Sequence, residues 1–163
     1  MANTYTQVYL HIIFAVKNRA SLLPATTLTR VHSYIGGVLK QHGHIPLAIG
    51  GIDNHIHIMV AYNIRQSISD MIRDIKSSSS RFINESRIIP FHFEWQSGYG
   101  CFSYSHSQIN SVCEYINHQH EHHKSISLET EVRTILDRLG MTYDERYVIR
   151  EPWQSYLSKR DYI

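Results

Sequence analysis

The chain has 163 residues, 42% of them hydrophobic, and 16 Lys and Arg against 14 Asp and Glu give a formal net charge of +2. That length suits one compact domain, and the charge is too small to establish nucleic-acid binding by itself. No stretch approaches the roughly 18 apolar residues of a membrane span, the N-terminal MANTYTQ lacks the parts of a signal peptide, and Cys101 and Cys113 make no disulfide framework, so a cytoplasmic location is expected by elimination.

Thr4 to Lys17, rich in Val, Ile, Tyr and Phe, predicts a long first strand. Between Pro24 and Gln41, Leu28, Val31, Ile35 and Leu39 recur at helical spacing, with Gly43 as the stop. Ile45 to Gly50 predicts a second strand and His55 to Tyr62 a third, with the bend at Gly50-Gly51 or Asp53-Asn54. Ser67 to Asn84 predicts a second helix with Ile68, Met71, Ile72 and Ile75 on one side. Its serines 77 to 80 weaken helix propensity and are alternative phosphate contacts. Phe91 to Tyr104 holds a fourth strand and Gly-rich turns. The order β-α-β-β-α-β is that of a ferredoxin-like or RRM-like α+β fold on an antiparallel sheet. A third helix is appended from Ser107, read as its N-cap, to His123, and Leu128 to Leu139 predicts a further short helix ended by Gly140. The remainder through Ile163 carries Trp153 but no chemical motif, and is expected to pack on the domain or on a second subunit.

Two of these elements carry chemistry. In the third strand His55 and His57 alternate with Ile56 and Ile58, so both imidazoles share one face. Two neutral imidazoles make two-thirds of a divalent metal site, although with twelve histidines in the chain a His-x-His pair is a modest signal alone. In the appended helix, Ile109, Val112, Cys113 and Ile116 form an apolar stripe, and Tyr115, Gln119 and His122 form a second ridge beside it. A carboxamide oxygen suits a hard cation, so Gln119 can complete a site with His55 and His57. Tyr115, one turn earlier, then becomes a nucleophile next to a Lewis acid. The competing reading is a tyrosine body resting on the core with its hydroxyl at the rim. Lys17, Arg19, Arg73, Lys76 and Arg81 flank elements expected to border the histidine strand and add to a positive field.

His-hydrophobic-His followed by Tyr-x-x-x-Gln resembles the HUH single-tyrosine transposases of the insertion sequence 200/605 group and their relatives associated with repetitive extragenic palindromes. Tyr9 to Arg19 resembles that family's first strand with its trailing basic residues, and Gly51 to Val60 its HUH strand. Trp95-Gln96-Ser97-Gly98-Tyr99-Gly100-Cys101-Phe102-Ser103 is similar to its Trp-Gln-x-Gly-Tyr-x-x-Phe-Ser segment, and Tyr115 through His122-His123 to its tyrosine helix. One departure is Asn54, where many members carry Asp before the first histidine. That leaves open whether a carboxylate orients His55.

The resemblance implies a DNA transposase that cleaves and rejoins single-stranded DNA at imperfect hairpins. Tyr115 attacks phosphorus to give a 5′-phosphotyrosine and a free 3′-hydroxyl. His55, His57 and Gln119 hold Mg²⁺ or Mn²⁺, and no nucleotide cofactor is needed. It further implies a homodimer with shared active sites, a catalytic unit over 1–124 that includes the tyrosine helix, and a packing segment over 125–163. Expected DNA contacts are Lys17, Arg19, Lys76, Arg81, Trp95, Tyr99 and His122, with Trp95, Tyr99 and Phe102 available for base stacking or for core packing. The alternatives are a non-catalytic or domesticated single-stranded nucleic-acid binder, and a metal-dependent nuclease that uses water.

Overall fold

A computed structural model describes residues 3–150; the side chain of Arg19, and Trp153 with the rest of the tail, lie outside the described residues. Four strands form one antiparallel sheet: β1 (Tyr9–Ala15), β2 (Ile45–Ile52), β3 (His55–Ala61) and β4 (Gly100–Tyr104), in the order β2-β3-β1-β4. With helices α1 (Leu28–Gln41) and α2 (Ile68–Glu85) between them, this is the ferredoxin-like arrangement expected from the sequence. Three helices follow: α3 (Ile109–Asn117), α4 (Gln119–His122) and α5 (Leu128–Arg138). Among the described residues no helix is long and apolar enough to cross a membrane.

Strand periodicity gives the sheet two different faces. Leu10, Ile12, Phe14, Ile56, Ile58 and Val60 point to one side, where Val31, Ile35 and Leu39 of α1 and Met71, Ile72 and Ile75 of α2 close the main core. Each such fully buried side chain contributes about 1.5–3 kcal/mol of hydrophobic stabilisation. The serine run does not interrupt α2. Ser79 is buried, donates from Oγ to Ile75 O at 2.6 Å and accepts the Trp95 indole N–H at 2.9 Å, which explains its place in the helix without any phosphate.

The other face carries His11, Ile13, Ala15, His55, His57 and Met59, and α3, α4 and α5 cover it. Ile13 stands opposite His57, and His57 opposite Gly50. A Cβ at Gly50 would fall 2.3 Å from the Ile116 carbonyl oxygen, so glycine there lets α3 lie directly on the β2 backbone. At the other end of that face, Leu128 and Val132 of α5 pack with Ala15 and Val148.

The appended helix departs from the sequence expectation in two ways. Its lead-in is capped by Ser105 rather than Ser107, with Gln108 Oε1 accepting the Ser105 backbone N–H at 3.1 Å. It also breaks at His118, whose φ and ψ of −107° and 23° leave the helical region. The break lets Gln119 turn fully inward, to 1% exposure, where its polar partners are.

Candidate metal and tyrosine site

His55 and His57 enter the site from β3 at 2% and 0% exposure. Each is held from behind. His55 Nδ1 donates to Asn54 Oδ1 at 2.6 Å, so the amide of Asn54 does the orienting that a carboxylate would do, while Asp53 faces solvent. His57 Nδ1 lies 2.8 Å from Nε2 of His11, a buried histidine on the neighbouring strand. Both arrangements aim Nε2 away from the sheet and toward the covering helices.

Those helices and the turn after α4 supply five more polar groups. Gln119 Oε1 lies 3.0 Å from His55 Nε2 and 3.0 Å from Nε2 of His123. The ring of His123 is fixed by its Nδ1, which donates to Ile126 O at 2.7 Å. From α5 comes Glu131, 2% exposed. Ser127 caps this helix by accepting the Thr130 N–H at 3.2 Å. Leu128, Glu131 and Val132 share its buried side, so a carboxylate rides on an otherwise apolar stripe. Glu131 Oε1 is 2.8 Å from His57 Nε2, Oε2 is 3.8 Å from His55 Nε2, and Oε2 also touches His123 Nε2. The Tyr115 hydroxyl donates to Glu131 Oε1 and sits 3.4 Å from His122 Nε2. The Tyr115 and His57 ring centres are 5.8 Å apart.

The electrostatics follow from burial. Burial pushes the Glu131 carboxyl up, but contacts to His123 and His57 outweigh it and hold the group well below the usual carboxylate range, hence ionised. Burial and the Glu131 charge together push the Tyr115 phenol up, so in this arrangement it keeps its proton. Burial holds His55 well below 6.5, so it is neutral.

What converges, then, is a set of acceptors. With Nδ1 of His55 and His123 turned outward, each presents Nε2 to the interior, where the Gln119 amide oxygen and the Glu131 carboxylate meet it. Neither His57 Nε2 nor Glu131 Oε2 makes a well-formed hydrogen bond, although both are buried. Ligand atoms of His55, His57, His123 and Glu131 lie within 4.8 Å of one another. An acceptor-rich cluster, to which the Tyr115 hydroxyl donates, fits a divalent cation.

The sequence-derived residues thus fall into groups. His55, His57, Gln119 and Tyr115 meet in one chain, without a partner's helix. His122 joins them at the edge, lining a cavity of about 610 Å³ between α3 and α5 with His11, Tyr104, Tyr115, Glu131 and Arg138. His123 instead borders a second cavity of about 680 Å³, together with Pro24, Asp53, His120 and Lys124.

The expected DNA contacts are more scattered. Lys17 is exposed and paired to Glu94 at 2.5 Å, Arg81 is exposed on α2, and Tyr99 is 42% exposed. Lys76 is a strut: Nζ donates to the Gln96 and Gly98 carbonyls at 2.8 and 2.5 Å, and burial brings its ammonium down to about 8. Trp95 belongs to the core, its ring set edge-on against Phe14 and Phe93 at 4.8 Å each. Phe102 is likewise buried and packs beside His11. His123 and Glu131 were not singled out from sequence as ligands, though a Glu at the Leu128-Glu131-Val132 spacing of a buried stripe is a readable sign.

Solved structures share this fold. A solved chain from Deinococcus radiodurans R1 assigned as a transposase shares the fold with a TM-score of 0.58 and 18% identity, over 73% of this chain and 95% of that one. A REP-associated tyrosine transposase, solved bound to a REP hairpin, gives a TM-score of 0.57 and 16% identity over 77% of this chain and 74% of that one. No curated protein matches. The family model "Transposase IS200 like" matches residues 4–119, well over half the chain and ending on the buried glutamine of the site. The chain belongs to the IS200-like transposase family.

Proposed function

We propose that this transposase cleaves and rejoins single-stranded DNA at hairpin-bearing ends, through a 5′-phosphotyrosine formed on Tyr115 with the help of a divalent ion held at His55, His57 and Gln119. The observation that carries the reading is the meeting of a phenol, two back-bonded imidazoles and a buried amide oxygen in one chain. A divalent ion bound there supplies Lewis-acid stabilisation of the charge that develops on the phosphoryl oxygens.

Every other part is the protein's own. Tyr115 Oη forms the new bond to phosphorus as the bond from phosphorus to the 3′-oxygen breaks, leaving a 3′-hydroxyl on the released strand. Because the phosphodiester energy is kept in the protein–DNA bond, that hydroxyl can reverse the step on another strand, and no nucleotide is consumed. Asn54 and His11 keep His55 and His57 in the tautomer and orientation the site needs. Cavities on either side of the cluster give flanking nucleotides somewhere to lie, with Lys124, His122 and Arg138 on their walls. Lys17 and Tyr99 are exposed contacts for more distant parts of the strand. The hairpin carried by the REP-associated relative supports the choice of a folded single strand as substrate. In a homodimer, this reading takes the tyrosine and the histidines from the same copy.

The test is incubation with hairpin-containing single-stranded DNA and Mn²⁺, followed by a search for a denaturant-resistant adduct mapped to Tyr115. Strand cleavage that persists in Tyr115→Phe without an adduct would instead identify water as the nucleophile.

A further inference from the structure

Two residues in the acceptor cluster lie beyond the span matched by the family model: His123 and Glu131. We propose that, until DNA enters, they join His55 and His57 in a four-ligand, three-imidazole and one-carboxylate centre for a transition-metal ion of the Zn²⁺, Mn²⁺ or Co²⁺ class, so that ion binding pins α5 over Tyr115 and Gln119 becomes a ligand when the carboxylate is displaced. This deepens the reading above at the metal site, yet it does not require Tyr115 to cleave DNA.

The back-bonding of the rings is the first support. Asn54 Oδ1 and the Ile126 carbonyl accept from the Nδ1 atoms of His55 and His123, and the Nδ1 of His57 faces His11 Nε2. Fixing Nδ1 in this way is how proteins present Nε2 to a metal. His123 follows the pattern as fully as the strand histidines do, although it comes from a different element.

Glu131 is the second. Its carboxylate is 2% exposed, on an apolar helix stripe and set against Nε2 of His57 and His123, with Oε2 making no well-formed hydrogen bond. A buried carboxylate packed among imidazole nitrogens is costly to leave unmatched, and a divalent ion between them satisfies all four groups at once.

The donor set then selects the ion. Mg²⁺ favours an octahedron of oxygens and retains water, whereas imidazole nitrogen favours later transition metals. Three ring nitrogens and one carboxylate within 4.8 Å suit the compact four-coordinate sites of Zn²⁺ or Co²⁺. Such a site is closed, and the ligand that closes it also binds the Tyr115 hydroxyl. A phosphate oxygen entering the site therefore has to displace Glu131 and loosen α5.

The experiment uses the full chain, stripped of metal and checked for folding, as wild type, Glu131→Gln and His123→Ala. Calorimetric titration with Zn²⁺, Mn²⁺ and Mg²⁺ gives affinities, the visible absorption of bound Co²⁺ reports coordination number, and hydrogen exchange reports protection of α5. The expected result is far tighter binding of Zn²⁺ and Mn²⁺ than of Mg²⁺, and intense four-coordinate Co²⁺ bands in wild type. Affinity should fall roughly tenfold or more in each variant, and ion-dependent protection of α5 should vanish in Glu131→Gln. Wild-type affinity in both variants, or Mg²⁺ binding as tightly as Zn²⁺, overturns the proposal. A protein that binds ions as described but never forms a Tyr115 adduct would overturn the functional reading and leave this centre standing.

Discussion

The two faces of the sheet are built on opposite principles from the same strands. Under α1 and α2 the side chains are almost all Ile, Val, Leu, Met and Phe, which need no partner beyond shape, with Trp95 and its bond to Ser79 the polar exception. Under α3, α4 and α5 the strand positions alternate into His11, His55 and His57, and the covering helices answer with Gln119, His123 and Glu131. The first face is a source of stability. The second is a polar cluster that low dielectric makes expensive unless each group is matched. It follows that substitutions on the two faces should separate folding from activity.

The largest effect expected is on activity with the fold spared. Tyr115→Phe removes one hydroxyl from the rim of the polar face, so adduct formation on hairpin DNA should drop to background while the melting temperature stays near wild type. A large drop in melting temperature would mean that the Tyr115–Glu131 contact is chiefly structural. The mirror-image change is Phe14→Ala in the apolar face, where the ring is fully buried against Trp95. It should cost about 3–5 kcal/mol, a large share of the roughly 5–15 kcal/mol that holds a domain together. Denaturant titration checks it, and any residual folded protein should still bind metal.

Legibility from sequence divides along the same line. The apolar face was readable almost entirely, because periods of 2 and 3.6 translate directly into which residues meet; Ile56, Ile58 and Val60 needed nothing more. On the polar face the strand period also gave His55 and His57 a common side, and helix spacing placed Tyr115 and Gln119 on one ridge. The break at His118 was not readable, since histidine has no strong local preference against helix and the inward turn of Gln119 comes from tertiary partners. Glu131 is hard to read as a site residue because a glutamate beside an apolar helix stripe ordinarily faces solvent, and only its partners on the sheet turn it inward. For Lys76 the charge alone could not show that its ammonium ties α2 to two carbonyls.

The polar face should also reveal itself through pH in the metal-free protein. Burial holds His11 down at about 3, and it holds His55 well below 6.5. Below pH 6.5 the unfolded chain takes up protons at these two positions while the folded chain does not. More protons bound in the unfolded state means stability rises with pH, so it is lost as pH falls from 6.5 toward 3. His11 costs about 1.4 kcal/mol per pH unit over that range, and His55 acts in the same direction. Glu131 does not offset this above pH 4.5, because it is ionised in both states there. The chelated protein should therefore melt markedly lower at pH 5.5 than at 7.5, with a shallower dependence in His11→Asn. An unchanged melting temperature between those pH values would show that the imidazoles are not held neutral.

The smallest predicted effect concerns Asn54, an amide standing behind the first histidine of the site where a carboxylate could do the same work. Its Oδ1 accepts the His55 Nδ1–H as a carboxylate would, but without the charge that makes such a bond strong and the imidazole more basic. Asn54→Ala removes the acceptor, and ion affinity should fall by about 10–100-fold. Asn54→Asp restores a charged one and should bind the ion at least as tightly as wild type, with the gain limited because a second carboxylate would then lie buried near Glu131. Calorimetric titration of both variants separates the possibilities. If alanine binds as well as asparagine, His55 is oriented by its packing between β3 and α4 rather than by Asn54, and the polar face is less dependent on back-bonding than its geometry implies.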